Sequence, residues 1–61
     1  EDYAGAARML RRVVALDPRD EQAWANLAIA CALQRDLAGA SVAIEKLRAL
    51  NPARDPAATR K

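Results

Sequence analysis

Along residues 2 to 16, Tyr3, Ala6, Ala7, Leu10, Val13 and Val14 recur at spacings of three and four, while Arg8, Arg11 and Arg12 fall away from the centre of that stripe. This is the pattern of an amphipathic helix. Asp2 is placed to cap its start, and Asp17-Pro18 ends it, because the residue before a proline is pushed out of helical geometry. Residues 37 to 50 repeat the design, with Leu37, Ala40, Ile44 and Leu47 as the stripe, Asp36 as the cap and Asn51-Pro52 as the stop. Between them, residues 23 to 33 read AWANLAIACAL, with Asn26 the single polar residue, behind Asp20 as cap and Glu21 at the positive end of the helix dipole. A helix apolar on all sides must be covered on more than one side. Trp24, Leu27, Ala28 and Cys31 form one face, and covering it takes both flanking helices. Gln22, Ala25, Asn26, Ile29 and Leu33 form the opposite face, which is left over. The expected fold is all-α, with three antiparallel helices.

The two outer helices are copies. DYAGA at residues 2 to 6 returns as DLAGA at 36 to 40, an offset of 34 residues. At the same offset Ala15, Leu16 and Pro18 match Ala49, Leu50 and Pro52, with Leu10 against Ile44 and Val13 against Leu47 as apolar exchanges. A fixed interval with this much company marks a repeated structural unit. Gly5 and Gly39 sit in the first turn of their helices. Tolerance of glycine near a cap is the preferred explanation there, with close backbone approach as the alternative.

Composition narrows the class. A chain of 61 residues buries only about 60% of its unfolded surface, so small domains of this size usually need a staple. One cysteine and no histidine provide neither a disulfide nor a metal cage, and no cofactor is expected. A lone thiol suits a reducing, cytoplasmic interior. No stretch approaches the roughly 18 apolar residues of a membrane span, and the acidic start does not suit a signal peptide. Because the chain opens mid-pattern, it is expected to be a piece of a longer repeat array.

At this point the residues resemble the tetratricopeptide repeat family, whose unit is 34 residues in two antiparallel helices. In residues 19 to 52, Trp24, Leu27, Ala28, Ala40, Ile44 and Pro52 stand at the family's aromatic, leucine, small, alanine, bulky and closing-proline positions. Residues 1 to 18 resemble the second helix of a preceding unit, with Tyr3, Ala6, Leu10 and Pro18 in the matching places. Cys31 stands where tyrosine is usual, Leu37 replaces an aromatic, and Val13 and Leu47 replace an alanine. The organisation implied is a truncated repeat over 1–18, a complete repeat over 19–52, and at 53–61, where Asp55 and Pro56 suit a helix start, either the beginning of a following repeat or a disordered tail.

The resemblance implies a right-handed solenoid whose first helices line a concave groove for a peptide or helix of a partner protein. The groove lining would be Gln22, Ala25, Asn26, Ile29 and Leu33, a mostly apolar strip suited to a short amphipathic segment. Some family members grip a terminal carboxylate; Asn26 has no lysine beside it here, which weighs against that use. Self-association through exposed repeat ends is the rival, since Tyr3, Leu10 and Val14 would keep a face that a missing neighbour should cover. RNA binding is a weaker alternative: Arg8, Arg11, Arg12 and Arg19 are crowded, yet the net charge is only +2 and the aromatics are confined to core sites. Catalysis is not expected, because the usual general base, histidine, is missing and Cys31 lies on an apolar stripe with no partner to activate it.

Overall fold

The computed structural model describes residues 2–52; the expectations for 53–61 lie outside them. Three helices follow one another: α1 (Tyr3–Leu16), α2 (Glu21–Leu33) and α3 (Leu37–Leu50). Each begins on an aspartate whose carboxylate accepts a backbone N–H three residues on, from Gly5 to Asp2 at 2.8 Å, from Ala23 to Asp20 at 3.0 Å and from Gly39 to Asp36 at 3.0 Å. Such caps satisfy a donor that the helix leaves unpaired and contribute about 1 kcal/mol each. α1 and α3 end alike: the N–H groups of Asp17 and Asn51 donate to Val13 and Leu47, both at 2.8 Å, ahead of Pro18 and Pro52.

The end of α2 is different. The N–H of Arg35 donates to Ala32 and that of Asp36 to Cys31, a paired closure that puts Arg35 in the left-handed region at φ 62°. Glycine is the usual residue at this position because it has no Cβ to strain; an arginine there costs about 1 kcal/mol.

α2 lies between the other two. Among the described residues α1 and α3 each pack on α2 and make no backbone approach to one another. They leave an open slot of about 380 Å³ over Trp24 and Leu27, edged by Arg11, Val14 and Val42. The core is Ala7 and Val14 from α1, Ala23, Trp24, Leu27, Ala28, Ala30 and Cys31 from α2, and Ala40, Ala43 and Leu47 from α3. The indole N–H of Trp24 donates to the Pro18 carbonyl at 2.7 Å, fixing the turn between α1 and α2. At the same end of the molecule, the Asn51 side-chain amide donates to Glu21 at 3.1 Å, tying the end of α3 to the start of α2.

Four expectations are corrected. Leu37, placed on the α3 stripe, is 71% exposed, and Ile44 is also largely outside the core; Ala43 is buried in their stead. The face α1 keeps open is not Leu10 and Val14, which are half-buried and buried, although Tyr3 is exposed. Cys31 does have a partner: Arg11 reaches across from α1, its Nη2 3.6 Å from the fully buried Sγ and 3.1 Å from Asp36 Oδ2. Gly39 marks a close approach, by side-chain rather than backbone atoms, whereas at Gly5 the crowding atoms are those of the exposed Asp2 side chain. A Cβ on Gly5 would collide with the Asp2 carboxylate, and one on Gly39 would collide with that of Asp36 and come within 3.0 Å of Cys31 Sγ.

The two copies also turn different flanks to α2. α1 uses Ala7 and Val14, with Leu10 and Val13 beside them; α3 uses Ala40, Ala43 and Leu47, with Leu50 beside them. Carried across the offset of 34, Ala7, Leu10 and Val14 become Ser41, Ile44 and Arg48, and the α3 row becomes Ala6, Met9, Val13 and Leu16. Each outer helix thus buries one flank on α2; of the flank that its copy buries, α1 leaves Ala6, Met9 and Leu16 exposed with Val13 half-buried against the core, and α3 leaves Ser41, Ile44 and Arg48 exposed.

Candidate partner-binding face

At 3.6 residues per turn, positions 22, 25, 26, 29 and 33 fall within one side of α2, opposite Trp24, Leu27 and Cys31. With α1 and α3 both on the Trp24 side, that strip faces out. Ile29 is 58% and Leu33 53% exposed, and Gln22 and Asn26 are exposed as well. Ala25 is only half-buried and packs against the core at the edge of the strip. Ala32, three residues past Ile29 and also exposed, extends the same side; its spacing was visible in the sequence, but an alanine carries little apolar signal of its own.

Gln22 and Asn26 are one turn apart, and the Gln22 amide donates to Asn26 Oδ1 at 3.1 Å. That bond leaves the Asn26 amide hydrogens to donate outward. The strip therefore offers two aliphatic side chains one turn apart and, a turn before them, a pre-oriented amide donor. It has no charge of its own. Among the described residues no three of histidine, cysteine, aspartate and glutamate converge as metal ligands would, and no helix is long and apolar enough to cross a membrane.

A sequence model described as tetratricopeptide repeat matches residues 1–60. The chain belongs to the tetratricopeptide repeat family. The three-helix architecture agrees with the helical-repeat fold of that family. No curated protein and no solved structure gives a significant match. Tetratricopeptide repeats generally mediate protein–protein interaction and are generally non-catalytic scaffolds.

Proposed function

We propose that this tetratricopeptide repeat unit binds a short amphipathic peptide or helix of a partner protein on the strip of Gln22, Ala25, Asn26, Ile29 and Leu33. The observation that carries the reading is the exposure of Ile29 and Leu33 on a helix whose other sides are covered: 58% and 53% respectively, in a row, beside a donor amide. Exposed aliphatic anchors one turn apart are what an amphipathic segment buries when it lies in a groove, and the Asn26 amide supplies orientation by bonding a partner carbonyl. Repeats of the same kind on either side would lengthen the strip into a groove.

The test is selection of binders from a displayed library of short peptides, followed by titration against the Ile29→Lys and Leu33→Lys variants. Selected peptides are expected to be amphipathic and to lose most of their affinity for either variant, while far-UV circular dichroism stays unchanged. Undiminished binding to both variants would remove the strip as the site.

Self-association is the second reading, favoured by Leu33 and Leu37 standing exposed on either side of the turn between α2 and α3. Sedimentation over a wide concentration range tests it. A folded monomer throughout rejects this reading.

A further inference from the structure

The slot of about 380 Å³ between α1 and α3 is walled and floored by helices of this chain alone, with Arg11 and Ala15 on one side, Gly39 and Val42 on the other, and Trp24 and Leu27 beneath. The four wall residues belong to neither of the flanks by which the two copies pack helix on helix, so further repeats at either end would leave the slot open. Val42 is 53% exposed and Ala15 is exposed as well, so the walls keep apolar surface in water. Among the described residues no acid lines the slot. Arg11 does, and only its Nη2 is engaged, by Cys31 and Asp36; Nε and Nη1 carry no hydrogen bond there. Asp36 is also held as the cap of α3. On α3 the helical period sets Lys46 in the angular gap between Gly39 and Val42, and Glu45 beyond Val42 on its far side. Lys46 is exposed and has no ion-pair partner among the described residues.

We propose that this slot docks an extended acidic segment of another protein, with an aliphatic side chain seated between Ala15 and Val42 and carboxylates directed at Arg11 and Lys46. Charge and spacing select the occupant. Arg11 Nη2 and Gly39 both lie against Cys31 Sγ, and Lys46 stands two turns further along α3, about 10 Å on. In an extended segment alternate side chains share a face, so acids two positions before and two after the aliphatic residue span about 13 Å. The long side chains of Arg11 and Lys46 bridge the difference. An open slot covers only one side of what it holds. A free small molecule would keep much of its apolar surface in water, whereas a side chain borne on a partner is covered from behind by that partner. The acids of a second copy are engaged or scattered: Asp2, Asp20 and Asp36 cap helices, and Glu21 and Glu45 are each the lone acid of their helix. The slot lies on the Trp24 side of α2, opposite Ile29 and Leu33, so its occupation is independent of the strip on the other side.

Three short peptides test the proposal. The first carries a leucine with a glutamate two positions to either side, the second has lysines in place of the glutamates, and the third has serine in place of the leucine. Isothermal titration of the intact 61-residue chain is expected to give the first peptide roughly tenfold tighter binding than either of the others, as two exposed ion pairs and one partly buried leucine allow. Its affinity falls as salt rises. Nuclear magnetic resonance should show the Gly39 and Val42 amides shifting as it binds. Val42→Glu and, separately, Lys46→Glu, both at exposed positions, weaken it severalfold with far-UV circular dichroism unchanged, and the Ile29→Lys, Leu33→Lys double variant keeps it. Absence of binding, equal affinities for the first two peptides, or undiminished binding by both Val42→Glu and Lys46→Glu overturns the proposal. So does loss of the first peptide on the Ile29→Lys, Leu33→Lys variant, which would move its binding to the α2 strip. Equally tight binding of the serine peptide, or of an RNA oligonucleotide, would show that negative charge alone suffices and would also overturn it.

Discussion

α1 and α3 share a cap, a first-turn glycine and a proline stop, yet α1 meets α2 through Ala7 and Val14 whereas α3 meets it through Ala40, Ala43 and Leu47. The difference separates two kinds of information. Capping and termination are decided within a few residues, so copying the residues copies the structure. The choice of buried flank is decided by where α2 lies, which is after α1 in the chain and before α3. A helix in such an array carries two apolar flanks, one for each neighbour, and only the neighbours present cover them.

The comparison is sharpened most by truncating one residue at the same place in both copies. Leu47→Ala removes a buried side chain and is expected to cost about 2–4 kcal/mol, whereas Val13→Ala, at the equivalent half-buried site, should cost only about 1 kcal/mol. Urea denaturation followed by circular dichroism measures both. Domains of this size rarely exceed about 3–5 kcal/mol in stability, so Leu47→Ala is expected to be largely unfolded in buffer. Equal losses would mean that the two flanks are buried alike.

A smaller contrast is expected at the glycines. Gly39→Ala must displace the Asp36 carboxylate while Cys31 Sγ blocks relief, for a net loss of about 1–2 kcal/mol. At Gly5 the crowding atoms belong to the exposed Asp2 side chain, so lost capping and gained helix propensity, each about 1 kcal/mol, nearly cancel. Thermal midpoints of the two variants should differ by several degrees, with Gly39→Ala the lower.

Smallest is the difference between the caps. Asp2→Ala removes one capping bond, about 0.5–1 kcal/mol. Asp36→Ala removes the same bond and the Arg11 pair, which is half exposed and adds only about 0.5 kcal/mol. Adding salt should shrink the gap between these two variants, and a gap that stays constant would argue against the ion pair as its source.

Much of this was legible in the residues. Asp2, Asp20 and Asp36 declared the helix starts because capping is local, and the all-round apolar sequence of α2 required cover from both flanking helices. Exposure of Gln22, Asn26, Ile29 and Leu33 followed by subtraction once Trp24, Leu27, Ala28 and Cys31 were assigned to the core; Ala25, at the strip's edge, came out half-buried. Leu37 was misplaced because it keeps the stripe's spacing while lying on the flank that α2 does not reach, and Ala43 was overlooked because a small side chain scarcely registers in an apolar pattern. The reach of Arg11 to Cys31 and Asp36 spans 20 and 25 positions, a proximity that no local periodicity encodes. The chemistry of a ligand is absent from the strip for a similar reason, since aliphatic anchors specify shape more than identity.

Trp24 is the one tryptophan in the chain, and its buried indole is bonded to the carbonyl of Pro18 at the hinge between α1 and α2. Its fluorescence is therefore an intrinsic spectroscopic reporter of that junction. A red shift in emission signals the undocking of α1 without any label having been attached.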